Sequence, residues 1–190
     1  MSEFHFIRGK RIVDQIENED QQSVVLDETT AIQLQNNIKQ LNTKRRQFST
    51  DAVQVRQISM IPAIPSNILE IKAPVVSDGN KYDVSIQFLD VNFEDIETFG
   101  NVTFTGADSE TYHVEKIKLS NINVKVRCSC LDFYHRFAPY NATDGSLSGK
   151  KPMPYTPITD RASDNPKKLP GVCKHIIKTL ESLKRAGMVS

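Results

Sequence analysis

Three cysteines and one histidine fall in two short units, Cys128-Ser129-Cys130 and Cys173-Lys174-His175, with 42 residues between them. They account for every cysteine in the chain. Three sulfurs and one imidazole nitrogen make the donor set of a closed, four-coordinate structural zinc site. Residues i and i+2 at a strand end project to the same side. Cys128 and Cys130 can therefore reach one ion while Ser129 faces away. Gly171 permits a sharp turn before Cys173 and His175. These two then stand at the mouth of a helix, whose unpaired amides can donate to thiolate sulfur. Structural zinc contributes on the order of 10–16 kcal/mol in small peptides. Closing a loop of this length costs only about a few kcal/mol of entropy. A metal can thus pin the two ends of the loop even if the loop has little core of its own.

The same residues admit other chemistries. Three buried cysteines without metal are one. Cys173 as a nucleophile with His175 as its base is another, but no third group is evident to orient the base. A hydrolytic zinc needs an open position for water, and four protein ligands leave none. His135 is an alternative fourth ligand; beside Tyr134 and Arg136 it is expected on the surface. No paired carboxylates, Gly-rich phosphate loop or cofactor fingerprint stands out, so an enzyme is not expected.

The chain must position those ligands with 190 residues, 38% of them apolar and none tryptophan, so a core is expected over only part of it. The formal charge of +1 excludes a basic clamp spread over the whole chain. The charge is uneven, however. Residues 128–190 carry 10 Lys/Arg against 5 Asp/Glu, and residues 1–127 carry 14 against 18. Three cysteines cannot complete a disulfide framework, which favours thiolates on a metal in a reducing compartment. No apolar run approaches a bilayer span, and Met1-Ser2-Glu3-Phe4 does not open a secretory signal. A soluble intracellular product without a membrane partner is expected.

The chain reads as an α+β fold in three stretches. Residues 1–80 are an N-terminal arm, a helix and a proline-rich connector. The arm, over 1–26, includes the acidic run Glu17-Asn18-Glu19-Asp20 and is expected to be extended, with at most one short strand. Asp27 or Thr29 is the expected cap of a helix over roughly 28–48. Its apolar stripe of Ala31, Leu34, Ile38 and Leu41 is thin enough for a two-helix seam. An ordinary surface helix packed on its own domain fits equally well. Pro62, Pro65 and Pro74 make residues 50–80 extended and poor in ladder donors. Residues 81–127 read as an antiparallel meander of about four strands: 82–88, 101–105, 111–119 and 122–126. The last runs straight into Cys128. Residues 128–190 form the zinc-stapled module, with a long loop over 138–170 that shows no periodicity. A final helix carries Ile176, Ile177, Leu180 and Leu183 on one face and stops at Gly187.

The pattern Cys128-x-Cys130…Cys173-x-His175 resembles the SWIM-type zinc finger. The strand entering the first pair, the helix leaving the second and Leu131-Asp132-Phe133 also match. That resemblance covers about residues 120–187 and implies zinc on those four ligands, with nucleic-acid or protein binding in place of catalysis. The long insert, ending in Leu169-Pro170-Gly171-Val172-Cys173-Lys174-His175, resembles zinc-motif proteins in the virions of tailed bacteriophages. It implies a structural component at the neck, tail or baseplate, contacting neighbouring protein subunits. The arm, helix and connector would clasp those neighbours. The alternative is a nucleic-acid-binding module. Lys150, Lys151, Lys167 and Lys168 are its candidate phosphate contacts, helped by Lys174, Lys178, Lys184 and Arg185, with Tyr140 and Tyr155 able to stack on bases. The plainer reading of the same lysines is a solvated surface, and it is the stronger of the two. Replacing Cys173 with Ser is expected to release metal and loosen the C-terminal third, with less effect on the strands before residue 120.

Overall fold

Strand alternation builds the centre of this molecule. The computed structural model describes residues 29–41, 50–153 and 165–190. The architecture is α+β, as expected. Helix α1 (Ala31–Lys39) precedes strands β1 (Val53–Val55), β2 (Ser59–Ala63), β3 (Ile68–Ser77), β4 (Asn80–Phe88), β5 (Phe93–Glu94), β6 (Asn101–Thr105), β7 (Thr111–Glu115) and β8 (Val124–Cys128). Helices α2 (Leu131–Arg136), α3 (Ala138–Asp144) and α4 (Lys174–Arg185) follow. The expected arm over 1–26, the cap Asp27, the expected helix beyond Leu41 and Tyr155 lie outside the described residues. Among the described residues, no helix is long and apolar enough to cross a membrane.

The proline-bearing stretch is extended, but it is no connector. Leu69, Ile71, Ala73 and Val75 of β3 are buried on one face, while Lys72 and Pro74 point outward. Strand β3 pairs with β4 from Leu69↔Phe88 to Ser77↔Asn80. The two-residue turn between them, Asp78-Gly79, has φ of 52° and 77°. Positive φ at both central positions is the twist that suits a tight hairpin. Pro74 survives here because of where it falls. Strand β1 pairs with residues 75–77 of β3 and β2 with residues 68–72. Pro74 lies at the junction of those two partners, where a missing N–H breaks no ladder bond.

The expected single meander is two sheets. Strand β8 pairs with β4, giving the order β1-β3-β4-β8 with β2 also on β3. Strands β5, β7 and β6 form a separate three-stranded sheet in that order. The third expected strand, 111–119, ends at Glu115. Beyond it, Ile117 bridges Val189, and the backbone of Ile117 and Leu119 bonds Ser190 instead of a neighbouring strand.

One face of the larger sheet is dry. Val84, Ile86, Phe88, Val124 and Val126 join the β3 residues there, and α4 covers them with Ile176, Leu180 and Leu183. Helix α4 ends as expected at Gly187, φ 77°, where Gly187 N–H donates to Lys184 O and Met188 N–H to Leu183 O. That bond pair is a Schellman stop. Helix α1 is capped by Thr30, one residue after the nearer expected cap. Thr30 and Gln33 satisfy each other's backbone amides in a capping box. Its stripe of Ala31, Leu34, Ile38 and Leu41 is buried within the same chain, so it is no open seam.

The expected loop after residue 138 is partly helical. Pro139 lies in the first turn of α3, where its missing N–H is harmless, and Gly145 closes the helix at φ 83°. Helices of six and seven residues are too short to show a period in the sequence.

Candidate metal centre

Each chelating pair straddles the end of a regular element. Cys128 is the last residue of β8, and Cys130 caps the N-terminus of α2. Cys173 caps α4, with His175 in its first turn. The ligand atoms of Cys128, Cys130, Cys173 and His175 all lie within 4.8 Å of one another, and all four side chains are buried. The two sequence-distant pairs thus meet, as expected, and they meet away from solvent. Ser129 faces outward as expected. Its Oγ accepts from Asp83 N at 2.9 Å and its N donates to Asp83 O at 3.0 Å, which ties the first pair to β4.

The spacing suits a tetrahedral ion. Bonds of about 2.3 Å to sulfur and about 2.0–2.1 Å to nitrogen put N and S about 3.6 Å apart. His175 Nδ1 is 3.7 Å from Cys128 Sγ and 3.8 Å from Cys173 Sγ. Nδ1 is therefore the imidazole atom that faces the sulfurs, and binding through it leaves the proton on Nε2. Nε2 is buried without a hydrogen-bond partner. The ring is held in other ways. Tyr82 stacks on it with centroids 4.4 Å apart, and Thr179 Oγ1 donates to the His175 carbonyl at 3.0 Å.

Three thiols so close cannot all ionise by themselves. The Cys130 thiol is held far below its ordinary pKa, chiefly because Cys128 and then Cys173 donate to its sulfur. Phe133 N–H donates to it as well, at 3.3 Å. Cys128 is pushed up, chiefly by that same bond to Cys130, and Cys173 is pushed up first by burial. The pocket alone therefore favours one thiolate. A divalent cation is the simplest group that lets all three carry charge in a buried site. The donor set and its spacing fit such an ion.

The second pair owes its position to residues that the sequence did not mark. Three asparagines clamp the chain entering Cys173. Asn141, wholly buried on α3, donates to Gly171 O at 3.2 Å and accepts from Gly171 N at 2.9 Å. Asn37 on α1 donates to Pro170 O at 3.1 Å. Asn165 donates to Arg136 O and Leu169 O and accepts from Leu169 N. Gly171 itself is required, since a Cβ there would stand 2.7 Å from the Phe137 ring. Tyr82 was legible only as one apolar position in an alternating strand.

His135 is exposed and outside the cluster. The candidate nucleic-acid contacts Lys150, Lys151, Lys167 and Lys168 are exposed, as two pairs between α3 and α4. Arg127 anchors the first of these by donating to Ser148 O and Lys150 O. Lys174 and Lys178 are engaged elsewhere, with Asp78 at 3.1 Å and Glu181 at 3.8 Å. No family model, no curated protein and no solved structure matches this chain.

Proposed function

We propose that this protein is a non-enzymatic assembly component whose C-terminal part is closed by a structural zinc ion on Cys128, Cys130, Cys173 and His175. One observation carries the reading: two sequence-distant pairs supply four buried donors within 4.8 Å of one another. Thiolate with imidazole is a zinc donor set, and four protein donors leave no place for a reacting water. The ion would supply no chemistry beyond holding β8, α2 and α4 together. The arrangement also supports the SWIM-type resemblance, because β8 enters the first pair and α4 leaves the second. The narrower reading, a structural component of a tailed-phage particle bound to neighbouring subunits, rests on the resemblance of the long insert.

Elemental analysis of protein purified without chelator tests the zinc. One equivalent is expected, falling to near zero in Cys173→Ser. Metal-free protein that melts like the untreated chain would overturn the reading. The exposed Lys150, Lys151, Lys167 and Lys168 favour a second reading, nucleic-acid binding. It requires affinity that falls steeply as salt rises, and no binding at low salt removes it.

A further inference from the structure

Five large apolar side chains are exposed among the described residues, and four of them fall in two regions of opposite charge. Ile96 and Phe99 are 68% and 109% exposed, in the loop between β5 and β6. The sequence on either side of them is acidic. Residues 82–115 contain eight Asp or Glu and no Lys or Arg, and Glu94, Asp95 and Glu97 lie within the loop or beside it. Leu131 and Met153 are 73% and 80% exposed, in the basic part of the chain. Residues 145–153 contain Lys150 and Lys151 and no carboxylate. That stretch runs parallel to β8, with Leu147 bridging Val126 and Arg127 holding the Lys150 carbonyl. It therefore leaves the sheet at the same end as Leu131.

A fully exposed Phe brings a large apolar area to an interface at low entropic cost. An acidic rim selects a basic partner and rejects an acidic one. The same chain carries Leu131 and Met153 exposed in a basic stretch, where Asp132 beside Leu131 is paired with Arg136 at 3.1 Å, and its formal charge of +1 puts little general repulsion between copies. We propose that this protein self-associates head to tail, the Ile96/Phe99 loop of one copy docking on the Met153 surface of a second. Two different patches make the contact heterologous, so it closes into a ring or continues as an open chain. This deepens the assembly reading above and rests on it.

Sedimentation velocity on the full, zinc-loaded chain tests it. Mass should rise with concentration, and the association should weaken as salt rises. Phe99→Asp or Met153→Asp should each raise the dissociation constant at least about thirtyfold, the effect of losing a hot-spot anchor. The two variants mixed should form a 1:1 dimer that grows no further, since each retains one intact patch. A charge-exchanged pair, Glu97→Lys with Lys151→Glu, should recover association that Glu97→Lys alone loses. A wild-type chain that stays monomeric overturns the proposal. So does association that is insensitive to salt, a Phe99→Asp chain that assembles normally, or a mixture that remains monomeric or grows past a dimer. Zinc content and melting temperature are read on the same samples. They report on the metal-closed module separately, so either idea can fail alone.

Discussion

Asn141 contributes no atom to the metal cluster, yet it holds both polar groups of the Gly171 peptide two residues before Cys173. Replacing it with Ala leaves a buried N–H and a buried carbonyl unpaired, at about 1–3 kcal/mol each. Partners that orient a metal ligand typically change affinity by about 10–100-fold. Asn141→Ala is therefore expected to weaken zinc binding by that factor in competition with a chromophoric chelator; unchanged affinity would remove its positioning role. The cysteines themselves set a pH signature. In metal-free protein, Cys128 and Cys173 hold their protons more tightly than in the unfolded chain, where the ordinary thiol value is 9.0. Their contribution is full below that value and is lost as pH rises past it. Cys130 is depressed, so its contribution runs the other way, present above 9.0 and falling away toward acid. Melting of the metal-free chain should thus drop between mildly and strongly alkaline pH. The zinc-loaded chain should instead lose stability in acid, where protons displace the metal. The four ligands were legible because chelation demands particular residue types at i and i+2. The asparagines were not: Asn141 and Asn165 in a Pro-rich loop read as turn formers until burial shows what they grip, and Asn37 reads as part of the polar face of a helix.

At the scale of elements, legibility followed length and alternation. Strand β4 and helix α4 show their periods over nine and twelve residues, and the sequence places both. Strand β3 has the same alternation, but Pro62, Pro65 and Pro74, the last within β3 itself, read as a connector. What resolves the conflict is pairing, since β1 and β2 share one edge of β3 and leave Pro74 between them. The division into two sheets was invisible because local pattern carries no information on which strands pair. Helix α4 is the element on which the dry face depends. Leu180 is 2% exposed against that face. Leu180→Ala is expected to cost about 2–5 kcal/mol through lost burial and the cavity left behind. Pro74 is exposed, so Pro74→Ala is expected to stay within about 0.5 kcal/mol. Urea denaturation separates the two; a larger loss from Pro74→Ala would contradict the junction account.

Across the whole molecule, the position of α4 changes what metal loss should do. From the sequence, the zinc region is a module appended to the strands, and Cys173→Ser should loosen chiefly the C-terminal third, with less effect on the strands before residue 120. In the structure, α4 both carries two of the ligands and covers β1, β3, β4 and β8. Its burial of Ile176, Leu180 and Leu183 closes the core of the larger sheet. A helix cannot drift from the metal without uncovering that face, and exposing an apolar sheet face carries most of the cost of unfolding. Chelation should therefore lower the stability of the whole described fold in one cooperative transition. Hydrogen exchange on chelated and zinc-loaded protein reads this directly. Amides of residues 69–88 should lose protection together with those of 174–185, because both answer to the same opening. Protection that persists in the β3–β4 hairpin after metal removal, while α4 exchanges freely, would show that the sheet keeps its core without the helix and that the zinc closes only its own end of the molecule.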